Sequence, residues 1–398
     1  MIFVLEMRIK MKNKISKIYT KLKKHKFKTN TKVVFLIFCL TTIFNVLAIL
    51  STRFADVYRK YVFYNISSVF ARISGLFPFS IGEIMIVLAI ILAIFLVVIV
   101  ILGFFKCKIL KKIRKIYLRI TVYILLFVYI AETFNCFILY HTKTIESVIS
   151  KEYANEINTA IDDNERLLFT YNEVVRNLNE LSEKLQRDEN GDLIGDFTYE
   201  ECKTALRNIS NDFECLSGYY PNPKKIHFSN IMSQQYLAGI YFPFSMEANF
   251  NGLMYCANNP STICHELSHL KGYIREDEAN FIAFMACINS DNDFIKYSGY
   301  LQVLWYLEND LYKYLPDEYW ERVIYPNDYV IYDDIFLKAE VFEEVEEDAI
   351  ISTETLSEAT DVFIDTNLKM NGVESGFGNY SEVVKLIVLY YDCIEEIY

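Results

Sequence analysis

Apolar residues collect in three long runs within the first third of the chain. Val33–Leu50 is the first. Ile81–Phe105 is the second, and its core Ile84–Phe104 carries no charge. Ile120–Tyr140 is the third, interrupted by Glu132 and Asn135. A helix needs about 20 mostly apolar residues to cross a bilayer, so the pattern predicts three transmembrane helices within residues 33–140. Between the first two runs, residues 51–80 mix Tyr and Phe with a few Arg and Lys, the make-up of an amphipathic segment at the membrane interface. Glu132 sits toward the outer end of the third run, where a solvated or hydrogen-bonded structural role is the expectation.

Past residue 140 the period changes. Ile145, Val148 and Ile149, then Val174, Val175, Leu178, Leu181 and Leu185, recur at helical spacing, so 146–215 reads as helical. Glu189-Asn190-Gly191-Asp192 is a turn, and Tyr219–Pro223 breaks the pattern. Leu237–Phe244 has strand character, and Ala248–Asn251 extends it. Pro260-Ser261-Thr262 opens a helix over 263–271 with Ser or Thr as its cap, and Gly272 stops it. A second helix starts at the acidic Glu276-Asp277-Glu278 and runs through Ala279–Asn289. Helices are also expected over 297–315, Glu340–Ala349 and Val383–Tyr391. The predicted architecture is a membrane protein with a mainly α (α+β) outer domain, residues 141–398, carrying a small sheet.

Composition agrees with this division. The chain is 53% hydrophobic with a mean hydropathy of +0.16. Its net charge of −11 hides an asymmetry. Residues 1–139 hold 22 of the 40 Lys and Arg but only 4 of the 51 Asp and Glu. Residues 140–398 keep 18 basic against 47 acidic side chains, a formal charge of −29. Basic residues crowd the N-terminus (1–32) and the loop 106–119, and such flanks stay in the cytoplasm. The expected protein is therefore multi-pass in the cell membrane, in contact with lipid. Its N-terminus is cytoplasmic, its first span an uncleaved anchor, and its domain 141–398 extracytoplasmic. So acidic a domain excludes nucleic acid as a partner. The nine cysteines form no CxxC pair, and buried free thiols are expected.

The chemistry concentrates at His265-Glu266-Leu267-Ser268-His269. Histidines four apart share one helix face and can bind one Zn2+ between them. A glutamate beside the first can take a proton from water acidified by the metal. Only five histidines occur in the chain, so two of them around a glutamate at this spacing is a specific signal. A third ligand is required. On a straight helix Glu276 would lie about 10 Å beyond His269, so the chain must turn, and Gly272 permits it. Glu276 is then the leading ligand and Glu278 the runner-up, while Asn280, one turn after Glu276, can hold a ligand histidine in place. Gly239, Tyr241 and Asn249 lie on the strand segment that could pair with substrate. His227, Tyr241, Tyr297 and Tyr300 are candidate donors to a transition-state oxyanion.

This stretch resembles the gluzincin pattern, HExxH followed by ExxA(D/N), with a much shorter connection between its halves. The resemblance implies a zincin-like domain with Glu276 as third ligand. Along nearly its whole length the chain is also similar to a bacterial family known as domain of unknown function 3810. The match is carried by Gly239–Asn251, His265–His269, Arg275–Phe281 and Tyr297–Tyr300. That resemblance implies three spans, an outer HExxH domain and a membrane zinc peptidase of unassigned substrate. The leading expectation is an extracytoplasmic zinc endopeptidase acting on protein or peptide of the cell envelope, and two alternatives remain beside it: a non-catalytic, zinc-stabilised sensor or scaffold, and a zinc amidase of cell-wall peptides.

Overall fold

A computed structural model describes residues 29–102, 108–152, 162–371 and 380–394. The basic segment 1–28 lies outside the described residues. The first apolar run forms α1 (Thr29–Leu50). Ser51 then caps α2, made of Thr52–Val57, a π-helical turn Tyr58–Phe63, and Tyr64–Ser74. The second run forms α3 (Ile81–Leu102). The third belongs to α4, Lys108–Glu132, which continues through a π-helical turn Thr133–Phe137 into Ile138–Tyr140. Three of these helices are long and apolar enough to cross a membrane.

Two expectations change here. The basic stretch 106–119, expected as a loop, is helical from Lys108 onward. Its Lys and Arg alternate with Ile, Leu and Tyr at helical spacing, so the backbone has no reason to break. The segment 51–80, expected as an interfacial stretch, also packs on the domain that follows residue 140, with Lys60 paired to Glu214 at 2.7 Å and Arg72 stacked over the Tyr219 ring.

The domain that follows residue 140 is mostly helical. α5 (Ile145–Glu152), α6 (Asp163–Ser182) and α7 (Tyr199–Asn208) come first, α7 closed by a capping box between Thr198 and Glu201. β1 (Lys224–Lys225), α8 (Ser229–Gln234), β2 (Gly239–Phe242) and β3 (Glu247–Phe250) follow. Next come α9 (Asn259–His269), α10 (Glu276–Ile288) and α11 (Asp293–Tyr314). Four further helices complete the chain: α12 (Asp328–Asp333), α13 (Ala339–Glu347), α14 (Thr353–Met370) and α15 (Tyr380–Ile394). The sheet has the order β1-β3-β2, with β1 parallel and β2 antiparallel to β3. β2 is thus an edge strand.

One apolar core joins the two regions. α9, α10 and α11 pack on one another and on α6, burying Leu178, Ile263, Phe281 and Leu304. The same cluster includes Ala55 and Phe63 of α2 and Ile138 and Leu139 of α4. The π-helical turns of α2 and α4 meet where the Tyr58 hydroxyl donates to the Phe134 carbonyl at 2.8 Å. A buried ion pair, Lys224–Glu247, holds α3 to the sheet: the Glu247 carboxylate also accepts from the backbone N–H groups of Ile81 and Gly82, which open that helix. Cys39, Cys136, Cys202, Cys215, Cys256, Cys264 and Cys287 are free thiols.

Candidate metal centre

α9 begins earlier than its sequence suggested. A 3-10 turn, Cys256–Asn258, runs directly into it, so the cap is Asn258 and Pro260 falls in the first turn. Ser261 and Thr262 are helical, and the Ser261 hydroxyl donates back to the Asn258 carbonyl at 3.2 Å. The C-terminal end follows expectation. Gly272 adopts φ +91°, a conformation reserved in practice for glycine, and the chain reverses into α10.

That reversal assembles the site. His265 and His269 present their Nε2 atoms 3.1 Å apart, with ring planes at 88°. The Nδ1 of His269 lies 2.7 Å from the carbonyl oxygen of Tyr273. A carbonyl only accepts, so Nδ1 carries the proton and the Nε2 lone pair is left facing His265. The Glu276 carboxylate comes across the turn to 3.1 Å from His265 Nε2 and 3.9 Å from His269 Nε2. Ligands about 2.0–2.1 Å from a tetrahedral zinc stand roughly 3.3 Å from one another. Two imidazoles and a carboxylate at these separations suit such an ion.

Glu266 completes the cluster. One ligand atom each from His265, Glu266 and His269 falls within a 4.8 Å group. The second Glu266 oxygen and His265 Nδ1 are buried without a hydrogen-bond partner among the described residues. Burial pushes Glu266 up to about 8, with the His265 charge opposing and Glu276 adding to the rise. Burial pushes His269 down to about 4, against the upward pull of Glu276. Burial also pulls His265 down, but the hydrogen bond and charge of Glu276 outweigh it and the net shift is upward. Glu276 is raised by burial, yet its bond to His265 and the two imidazole charges bring it down to about 2. The carboxylate is therefore ionised and His269 neutral near pH 7, the states in which they bind metal.

The strand segment lies against this cluster. A Cβ at Gly239 would stand 2.7 Å from Glu266 Cγ, so β2 passes closer than any other residue there would allow. The Tyr241 ring lies 5.8 Å from that of His269, and its buried hydroxyl has no partner among the described residues. Asn249 braces β2 instead: its amide donates to the carbonyls of Ile240 and Glu247.

Other candidates are placed elsewhere. Glu278 accepts from the Ile145 N–H at 3.0 Å and pairs with Arg275 at 3.2 Å, fastening α10 to α5. Asn280 helps raise His265, but it forms no bond with Nδ1 and engages Gln302 and Tyr306. His227 is exposed beside Phe228. The Tyr297 hydroxyl donates to Asp333 at 2.7 Å, and Tyr300 packs edge-on against Phe284. The Tyr273 carbonyl was not legible in the sequence, since a backbone acceptor is carried by any residue. Nor was Tyr140, whose carbonyl accepts from Arg275 at 2.6 Å just before Glu276.

A family model described as "Protein of unknown function (DUF3810)" matches residues 58–388. No curated protein and no solved structure matches the chain.

Proposed function

The chain belongs to this family, whose description assigns no activity, and from that premise we propose that it is a membrane-anchored zinc peptidase working on the extracytoplasmic side. The observation that carries the reading is the convergence of the His269 lone pair, His265 Nε2 and the Glu276 carboxylate within 3.1–3.9 Å. His265, His269 and Glu276 would hold the ion, leaving a fourth position open, as catalytic zinc sites do. Zinc supplies a Lewis acid that acidifies water and polarises a carbonyl.

The remaining chemistry belongs to the chain. Glu266, beside the cluster and buried, takes a proton from the attacking water. As the C–N bond breaks it passes that proton to the leaving amine. A nearby dication would bring its raised pKa back down, making the carboxylate available as a base. The Tyr241 ring lies beside His269 and its buried hydroxyl has no partner among the described residues, so it is the donor we assign to charge developing on the substrate oxygen. β2 offers an edge on which an extended substrate can pair. The arrangement resembles a gluzincin site in which a tight glycine turn replaces the usual long connection. Charge asymmetry supports the orientation, because both basic flanks fall on the same side of the membrane.

The test uses the full chain in lipid nanodiscs. Zinc content is expected near one per chain in wild type and Glu278→Gln, and strongly reduced in Glu276→Ala and His269→Ala. Glu266→Gln should keep zinc and lose hydrolysis of a mixed peptide pool. Full zinc occupancy in Glu276→Ala would sink the ligand set, and peptide hydrolysis unchanged in Glu266→Gln would sink the mechanism.

A further inference from the structure

The depth of the centre relative to the membrane can be read from the contacts between helices. Tyr117 of α4 bonds the Leu92 carbonyl of α3. The helices run antiparallel, and Ile81 lies eleven residues above Leu92, so the outer end of α3 is level with residue 128 of α4. The β2–β3 connection confirms the register. Gly82 abuts Phe242, and the Phe244 ring lies 6.3 Å from that of Phe127. Higher up, Asn135 donates to the Pro243 carbonyl at 2.6 Å, and Arg275 reaches the Tyr140 carbonyl beside Glu276. The centre is thus level with residues 136–140, eight to twelve residues above the end of α3 and level with the end of α1, whose Phe44 faces Phe134. At 1.5 Å per residue it stands at most about 12–18 Å above the lipid surface.

α2 marks the surface from another direction. Val62, Ile66, Val69, Phe70 and Ile73 form an exposed apolar stripe along it, while Lys60 and Arg72 on its other side bind the domain. A helix with such a stripe, joined to spans at both ends, lies in the boundary between headgroups and acyl chains. α2 also packs against the site: Arg59 crosses Gly272 and lies over the Tyr273 ring at 4.7 Å. The edge strand and its hairpin therefore stand beside the lipid surface.

We propose that the centre acts on polypeptides that are themselves anchored in the membrane, cutting within about six residues of the anchor. This rests on the peptidase reading above. An extended chain advances about 3.3 Å per residue, so four to six residues cover 12–18 Å from the surface to the ion. A free peptide can enter the same cleft. A short tether at the bilayer presents its segment at the right height, whereas a site standing well above the surface could not reach bonds so near an anchor.

Two measurements decide it, both on the zinc-loaded full chain in phosphatidylcholine:phosphatidylglycerol vesicles. In the first, Ile240→Trp reports depth by quenching with lipids brominated near the headgroup. Fluorescence added by that residue should fall at least twofold, and Phe244→Trp should be quenched more strongly still. Emission from both residues untouched by brominated lipid overturns the location, whatever the activity. In the second, a 30-residue mixed-sequence peptide with an N-terminal palmitoyl chain is incubated with the enzyme and its cuts are mapped by mass spectrometry. Most cuts are expected within six residues of the acylated end, and cuts only beyond ten residues overturn the proposal. Quenching without zinc-dependent cleavage of either the anchored or the free peptide means instead that the peptidase reading has failed and the substrate class falls with it.

Discussion

Replacing Gly272 with alanine tests the turn that makes the centre possible. Two costs arise at once. The residue sits at φ +91°, where a side chain is strained by about 1–2 kcal/mol. The new Cβ would also stand 2.9 Å from Arg59 Cγ, 3.1 Å from Arg59 Cδ and 3.2 Å from Phe63 Cδ1. The arginine stem is flexible and can yield, but Phe63 is fully buried and cannot. Overpacking of this kind adds about 1–3 kcal/mol. The smaller entropy of unfolded alanine returns roughly 0.4–1 kcal/mol. The net expectation is a loss of about 2–4 kcal/mol, read by chemical denaturation in detergent micelles. Because the turn also carries Glu276 to the histidines, zinc affinity measured against a chelator should fall at least tenfold. Arg59→Ala in the same background removes two of the three close contacts but leaves φ unchanged, so it should recover part of the stability and not all. A Gly272→Ala protein with wild-type stability and zinc affinity would refute the account of the turn. Failure of Arg59→Ala to recover anything would refute the crowding half of it.

Three further outcomes follow from the geometry. Tyr241→Phe should keep zinc and lower kcat about 100- to 1,000-fold with little change in KM, the signature of a lost oxyanion donor, read in steady-state peptide hydrolysis. Glu247→Ala leaves buried Lys224 without its partner and the first N–H groups of α3 without an acceptor, so unfolding measurements should show a loss of about 3–5 kcal/mol. Asp277 is pushed up to about 7 by burial and by the Glu278 charge, so the folded state holds its proton more tightly than the unfolded chain does. The stability this gives is present at pH 4 and is lost as pH rises toward 7. In the metal-free protein Asp277→Asn should therefore match wild type near pH 4 and exceed it by about 1–2 kcal/mol at pH 8.

The sequence revealed whatever was set by local spacing. Runs of apolar residues located the three long helices, a four-residue interval located the histidines, and a glycine followed by acids located the turn and Glu276. Gly239 and Tyr241 came from a short aromatic strand, and both lie at the cluster. Features governed by distant partners stayed hidden. Glu278 stayed a runner-up to Glu276 in the sequence, and it is the Ile145 N–H, 133 residues away, that together with Arg275 draws Glu278 off to α5. Tyr297 looked like a donor because its partner Asp333 stands 36 residues downstream. α14 escaped notice because Val362 and Phe363 face outward, which blurs the apolar periodicity that marks a packed helix.

The shared core has a consequence for how the protein is made. Ala55, Phe63, Ile138 and Leu139 emerge from the ribosome well before α9–α11, and they become part of the same packed interior. The end of α4 is therefore not the edge of a folding unit. The later helices have nothing complete to close upon until α1–α4 have found one another. On the proposed reading the spans insert first and the candidate metal centre is completed last, so a chain with misplaced spans would not bring His265, His269 and Glu276 together.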